Sequence, residues 1–543
     1  MVFRSRSVRV SHMPVRRSQR QTLRVESLET RCLLTTLNVG PNYNTNQTGV
    51  SGSYNETTIA IDPTDPTDST LFTAANPSST TMWRHSSDGG VTWQTSSLAG
   101  IPAACCDAQA AFDQFGNLFV TYINSAITAV DVVLSTDDGA TFHVIGSFSG
   151  SVDQPSIATG PGGDVAPGSV WVDWNVGTMR AAGAPVYGPG AVGSFTAPIT
   201  ATSGSFGGIA VGPSGEVVLT YQNPTGDLGP ATIYTDTAFN SLDGGGFSGA
   251  VPVTNTNVGG FAPIPAQPSR TIDAEANLAF DYTQTGRLYL AYTDRSSVGS
   301  ADTNIYVRFS DDSGFTWSDP IVVTDDFSGN SKFNDAIAVD QSTGLVAVTW
   351  YDCRLSPTNN RAQIWGTVST DYGYDWEPNV QIGAGLSSGI AAGGFNFGDY
   401  DTMDFANGTF YRSWGDNANP SQLTPPNTHG NSMNVATARV DVSLDSIAVR
   451  SHVSRVGIIN AGLTIGTLST PTGLFLAPAI GTAAPLATSR LEVLATDLDS
   501  AFAASSGGSQ PAIPISAALA RDATGVQEVA ETDDWGWLNS LGV

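Results

Sequence analysis

Lysine is almost absent: Lys332 is the single one in 543 residues, and every other base is an arginine. Charged residues are only 13% of the chain, yet acids outnumber bases 49 to 23, for a formal net charge of −26. Such a surface repels phosphate. Nucleic acid and anionic membranes are therefore disfavoured as partners, because phosphate binding requires clustered Lys and Arg. No uninterrupted apolar stretch approaches 18 residues, which excludes a transmembrane helix. The five histidines (His12, His85, His143, His429, His452) are scattered without ligand spacing, so a zinc site has no basis. No phosphate loop or nucleophile-elbow string is present. What is plentiful is turn chemistry: 58 Gly and 30 Pro, with abundant Ser, Thr, Asn and Asp. That composition predicts many short strands rather than a helical bundle.

The two ends differ from the middle. Residues 1–34 carry eight arginines against Glu26 and Glu29, with no apolar core of signal-peptide length. Within them, Leu28-Glu29-Thr30-Arg31-Cys32-Leu33-Leu34 resembles the L-E-x-R-x-L-L segment of planctomycete-type exported proteins, with Thr where Pro is usual. The resemblance implies export, an extracellular or cell-surface location, and a leader that is removed or anchored. Residues 444–543 are rich in Ala, Ser, Gly and Leu with weak periodicity, and read as a tail for sorting or docking.

The middle, residues 35–443, is a repeat. The pattern Ser-x-Asp-x-Gly-x-x-aromatic occurs at Ser86/Asp88/Gly90/Trp93, Ser135/Asp137/Gly139/Phe142, Ser310/Asp312/Gly314/Trp317 and Ser369/Asp371/Gly373/Trp376. Ser241–Phe247 is a shortened fifth copy. One match is expected only ~0.01 times in a chain of this length. A second repeat consists of alternating apolar segments ending in Tyr or Trp with Asp or Asn close behind: Leu118–Asn124, Val170–Asn175, Val217–Asn223, Leu288–Asp294, Val346–Asp352 and Phe410–Asp416, with Leu71–Asn76 weaker. Period-two alternation marks each as a strand. Most follow a glycine turn, and before each turn lies another apolar run. The unit is strand, tight turn, aromatic strand, loop, third strand, Asp-Gly turn, outer strand, near 50 residues long. First strands fall near Ile59, Ala111, Ile157, Ala210, Ala279, Ile337 and Met403. The seventh unit lacks its outer strand, which Thr35–Val39 can supply. The expectation is an all-β chain: a β-propeller of four-stranded antiparallel blades, seven with six as the alternative, closed by an N-terminal strand.

The strings around Asp88, Asp137, Asp312 and Asp371 resemble the Asp-boxes of the sialidase-like (BNR/Asp-box) propeller superfamily. In that family the boxes brace hairpins at the blade periphery, so the resemblance implies a structural role for these four aspartates. Chemistry belongs where loops converge at the axis. Loops leading into first strands contain Asn55-Glu56, Cys105-Cys106-Asp107, Asp153-Gln154, Asp273-Ala274-Glu275, Asn334-Asp335 and Gly398-Asp399-Tyr400-Asp401. Loops leaving second strands contain Asn124, Asp173, Asn223, Asp294-Arg295, Asp352-Cys353-Arg354 and Asp416-Asn417. A rim of carboxylates suits acid–base chemistry on a polar substrate or Ca²⁺ held by oxygen ligands; no cofactor is required for the former.

The resemblance implies a glycoside hydrolase of exo-sialidase type acting on an extracellular glycan or glycoprotein. Family enzymes use three arginines, a tyrosine activated by a glutamate, and an aspartate acid/base. The positions that fit are Arg270, Arg295 and Arg354, with Glu275 and Tyr400 as partners and Asp107 or Asp401 as acid. Asp294, Asp352, Asp416 and Asp335 are the substrate-binding candidates. The family's Phe/Tyr-Arg-Ile-Pro string is absent. The alternative is a non-catalytic propeller that binds glycan or protein at the cell surface. Cys353 lies on a rim loop, so a bridge to Cys105 or Cys106 spans the axial mouth, whereas a bridge between the adjacent pair is strained.

Overall fold

A computed structural model describes residues 35–46, 53–65, 67, 69–77, 81–223, 228–283, 286–392, 396–418, 423–425 and 431–444. The basic leader with its Leu28–Leu34 string and Cys32, and residues 445–543 of the tail, lie outside the described residues.

Alternating, β-branched segments separated by glycine turns pair in chain order. Tyr54–Ile61, Leu71–Pro77, Met82–Ser86 and Gln94–Thr95 form the first antiparallel sheet. Five more sheets of four or five strands repeat this order. Their inner strands are Ala104–Phe112, Asp153–Gly162, Ser205–Val211, Asn277–Asp281 and Lys332–Val339. In the seventh sheet Met403–Ala406, Thr409–Asp416 and Asn434–Leu444 are joined by Thr35–Asn44 as outermost strand, with Thr35 opposite Leu444 and Asn44 opposite Ala436. Inner strands touch in cyclic order, and Met403–Ala406 contacts both Lys332–Val339 and Tyr54–Ile61. The fold is a β-propeller whose ring is closed by its N-terminal strand, which supplies the outer strand of the seventh sheet and so ties the two ends of the repeat together.

The second strands are the most buried; every residue of Val346–Asp352 is inaccessible. Aromatic side chains fill the wedge between sheets. Trp83 of the first sheet packs edge-on against Tyr122 and Phe142 of the second, at centroid distances of 5.4 and 4.9 Å. The Ser-x-Asp-x-Gly strings form one turn four times, between third and outer strands. In the first, Asp88 Oδ1 accepts from the Ser86 hydroxyl (2.8 Å) and the Thr92 amide (2.9 Å), while Gly90 N–H donates to Ser86 Oγ (3.0 Å). Asp137, Asp312 and Asp371 repeat the Ser and turn-amide bonds. The shortened copy instead makes a 3₁₀ turn, Ser241–Asp243.

One element departs from the repeat. Between the fourth and fifth sheets a two-stranded hairpin, Ala262–Ile264 and Gln267–Ile272, stands outside the seven sheets.

Candidate functional site

Five inner strands begin with the same irregularity. Pairing jumps from Asn55 to Thr58, Cys106 to Gln109, Asp153 to Ser156, Ser205 to Gly208 and Phe333 to Ala336. The residue that opens each bulge is left-handed: Glu56, Asp107, Gln154, Phe206 and Asn334 have φ of 52, 56, 46, 58 and 49°. Glu275, just before Asn277–Asp281, has φ 43°. A left-handed non-glycine residue costs about 1–2 kcal/mol, and such strain collects at functional sites. The bulges thus set one rim of the ring with Glu, Asp, Gln, Phe and Asn side chains from successive sheets.

The extra hairpin straps this rim. Gln267 accepts from Phe397 N–H (2.9 Å) and donates to Gly398 O (2.7 Å); the Ser269 and Arg270 amides donate to Asn396 Oδ1 (3.2 and 3.0 Å). Arg270 Nη2 bonds Glu56 Oε1 at 2.9 Å and also Asp399. Asn76 donates to Glu56 Oε2 and to Asp107 Oδ1 (3.2 Å). Beneath lies a cavity of about 90 Å³ lined by Asp273, Glu275, Asp399, Tyr400 and Asp401, among others. Glu275 is 9% exposed, and neither carboxyl oxygen has a hydrogen-bond partner; the Tyr400 hydroxyl, Asp335 Oδ2 and Asp401 Oδ2 also lack one. Arg412, fully buried, donates to Asp401 O (2.6 Å) and Asn334 O (3.0 Å) and stands 3.9 Å from Asp401 Oδ2.

Burial dominates the electrostatics. It raises Glu275 well above the usual carboxyl range, with Asp335 and Asp273 adding to the effect and Arg412 opposing it. Burial pushes Asp273 up to about 7, Asp335 to about 8 and Asp401 to about 6. Burial and then Glu56 and Asp153 carry Asp107 to about 7. Asp399 is raised by burial and by Glu56 against the pull of Arg270. Tyr400 is raised by burial, then by Asp107 and Glu56, so its hydroxyl keeps its proton. Several carboxyls of the site thus hold their protons to far higher pH than a solvated carboxyl does, Glu275 and Asp335 among them.

Of the sequence-selected residues, the structure brings together Arg270, Glu275, Tyr400, Asp107, Asp401 and Asp335. It does not bring Arg295 or Arg354 to Arg270. Arg295 donates to Asn257 O (2.9 Å), Ser300 O (3.5 Å) and Leu228 O. Arg354 bonds Asp352, Asp325 and Asn379 and stacks 4.0 Å over Trp365. Three of the substrate-binding candidates are turn and loop braces instead. Asp294 accepts the Asn257 and Arg295 amides, Asp352 accepts Trp350 Nε1–H, and Asp416 accepts Ser387 Oγ–H and the Ala418 amide. No hydrogen bond joins Glu275 to Tyr400, so the expected tyrosine–glutamate pair is not made among the described residues. Cys105 and Cys106 are bonded to each other and Cys353 is a buried free thiol, so no bridge spans the mouth. Among the described residues no three Asp, Glu, His or Cys side chains are grouped so that they could hold a metal ion.

Glu56, Asp153, Asp273, Asp399 and Arg412 belong to the cluster but were not selected as site residues. The first four sit in the leading loops already marked by their carboxylates. Nothing in the repeat announces the strap. A larger cavity, about 660 Å³, runs along the inner strands from Gln109, Ser156, Gly208, Asn277 and Thr402, which also line the acidic cavity, to Ile61, Phe112, Val211, Phe280, Val339 and Phe405 at the far end. Its carboxylates are held by backbone amides: Asp113 accepts from Phe115 and Asn117, Asp340 from Ser342 and Gly408, and Asp404 from Ile61 and Phe405. Acid chemistry therefore belongs to the strapped end.

No protein-family profile matches the chain, and no curated protein matches it. Solved structures of similar fold include an α-L-arabinofuranosidase from Fusarium graminearum (12% identity, TM-score 0.39, covering 74% of this chain and 98% of that one). Others are the phage phi92 endosialidase (11%, 0.39, 82% and 76%) and the Hadza microbial sialidase Hz136 (13%, 0.35, 69% and 73%). Among the described residues no helix is long and apolar enough to cross a membrane.

Proposed function

We propose that this propeller is an extracellular glycoside hydrolase that works by carboxyl chemistry beneath the strap. The observation that carries the reading is Glu275: buried, without hydrogen-bond partners, beside Asp273 and Asp335, and lining a cavity with Asp399. Glycoside hydrolysis needs one carboxylic acid that keeps its proton near neutrality, to protonate the leaving oxygen, and a second carboxylate across the bond. Glu275 has the environment of the first. Asp399 lines the same cavity and is the candidate for the second; burial and Glu56 raise it, so Arg270 opposes that rise only in part and the group serves as carboxylate on the alkaline side of its titration.

An exo-sialidase needs several guanidiniums converging on the substrate carboxylate. Among the described residues no arginine lines the cavity, and Arg270, which bonds the lining residue Asp399, is already shared with Glu56. The reading is therefore a hydrolase of glycans without a required sugar carboxylate. A non-catalytic glycan- or protein-binding propeller is the second reading, favoured by the size of the acidic cavity. About 90 Å³ admits one exocyclic group, whereas ligand pockets usually reach ~300 Å³ or more.

The test is a panel of aryl pyranosides, furanosides and a sialoside, assayed with wild type and Glu275→Gln. Turnover of an uncharged glycoside, reduced about 100-fold or more in kcat by Glu275→Gln, is expected. Turnover of the sialoside alone restores the sialidase reading. No turnover on any glycoside, with glycan or protein binding retained, leaves the binding module.

A further inference from the structure

We infer that Phe206 and Phe261 form an aromatic platform at the edge of the strapped cavity, and that it receives the apolar face of an uncharged pyranose ring in a glycan chain. The inference rests on the glycan part of the reading above and not on which carboxyl acts as acid.

The first observation is a residue out of character with its position. Four of the five bulges open on a polar residue, Glu56, Asp107, Gln154 or Asn334; the fourth sheet opens on Phe206. Its φ of 58° is a genuine outlier for so bulky a side chain, and such strain persists only where the surroundings hold it. Here the Phe206 amide donates to Gln154 Oε1 at 3.3 Å, and both residues line the 90 Å³ cavity.

The second observation comes from the strap. Phe261 immediately precedes its first strand and is 57% exposed. The Phe261 ring stands edge-on to that of Phe206, with centroids 5.9 Å apart and planes at 84°. The next residue, Ala262, pairs with Ile272, and Asp273 beyond it lines the cavity. Phe261 is thus tied to the cavity edge twice, once through its ring and once through its backbone. A phenylalanine that stays more than half exposed forgoes most of the stabilisation its burial offers, although a second ring stands beside it.

The size of the cavity fixes what lies on the platform. A space of about 90 Å³ takes one exocyclic group, so the sugar ring that carries the group stays outside, at the edge. A pyranose chair turns axial C–H bonds toward one face, and these meet the negative face of an aromatic ring. Its equatorial hydroxyls point sideways, toward water and the polar rim. A protein partner needs roughly 1,000 Å² of complementary surface, far more than two rings supply.

Saturation-transfer NMR and isothermal titration of the full chain with cellotetraose and galactotetraose test the platform. At least one is expected to bind at millimolar concentration or below, with saturation strongest on the axial C–H protons of one ring. Phe261→Ala weakens that binding about fivefold and Phe261→Trp keeps it. Phe261→Leu loses it as the alanine does, because the contact is with a ring face and not with apolar bulk. The position is exposed, and unchanged melting curves check the folding of all three variants. Phe327→Ala is the control: that ring is 92% exposed on the loop leading into the sixth sheet, and its removal leaves the affinity as it is. No binding of either tetrasaccharide, wild-type affinity in Phe261→Ala or Phe261→Leu, or equal weakening by Phe327→Ala overturns the inference. Self-association lost in Phe261→Ala, in place of glycan binding, makes the pair an interface between copies and overturns it too. Turnover of small aryl glycosides with neither tetrasaccharide bound sinks this inference alone. Binding through the platform without turnover of any glycoside sinks the hydrolase reading alone.

Discussion

Arg354 and Glu275 were equally plausible as letters, and their surroundings separate them. A residue just past the end of a strand can turn toward the axis or back along the sheet, and its neighbours in sequence do not say which. Arg354 turns back because Asp352, fully buried, and the face of Trp365 on the next strand hold its guanidinium. Arg354→Ala leaves that carboxylate without its cation. It is expected to cost roughly 3 kcal/mol in urea unfolding while leaving kcat and KM per folded molecule unchanged. A selective loss of activity with unaltered stability returns Arg354 to the substrate. Glu275 was readable for a different reason: it stands just ahead of an inner strand, in the set of leading loops whose carboxylates and amides recur from sheet to sheet, and its backbone shares their left-handed turn. What could not be read is that Arg270 is occupied, since Glu56 lies 214 positions away in sequence.

At the scale of elements, recurrence was the signal. Inner strands, aromatic second strands and four Ser-x-Asp-x-Gly turns were legible because each has one physical job done several times. The strap was not, because it occurs once and no neighbour shares its pattern. The turns also make a clean prediction. Asp312 accepts the Ser310 hydroxyl, the Phe315 and Thr316 amides and the Thr316 hydroxyl at 2.7–3.1 Å, all within one hairpin. Asp312→Ala removes those acceptors at an exposed site, for about 1 kcal/mol of local stability. Hydrogen exchange of amides 313–317 should quicken severalfold while the inner strand Asn277–Asp281 keeps its protection. Equal quickening in that strand means the turn supports the whole sheet rather than its outer edge.

The whole molecule closes a ring, and closure is what concentrates charge. Five sheets that open on a bulge, and two more whose leading loops carry Glu275 and Asp399–Asp401, bring carboxyls from residues 56 to 401 into mutual range, at a depth where water cannot screen them. Sequence composition showed the acid excess but not its focus, because focusing is a property of the ring. The consequence is an unusual dependence of stability on pH. Asp107, Asp273, Asp335 and Asp401 are raised to about 7, 7, 8 and 6, from an unfolded value of ~3.9. Between those limits the folded chain binds more protons than the unfolded one, so stability falls as pH rises. The contribution is complete below about pH 4 and is lost by about pH 8. The peripheral turn aspartates Asp88, Asp137 and Asp312 are lowered by their hydrogen bonds, against the burial that opposes them. They work in the opposite sense, losing stability as pH falls below 4, but they are solvent-exposed and weigh less. The melting temperature should therefore peak in the mildly acidic range and decline toward pH 8. Asp335→Asn keeps an acceptor for the Thr293 hydroxyl, which bonds Asp335 Oδ1 at 3.1 Å, and removes the most strongly raised of these four groups. That variant is expected to melt higher than wild type at pH 8 and no higher at pH 5. A wild-type curve that is flat or rising from pH 5 to 8 shows that the mouth carboxyls are solvated, and the acid proposed for Glu275 then has no dry environment to hold its proton.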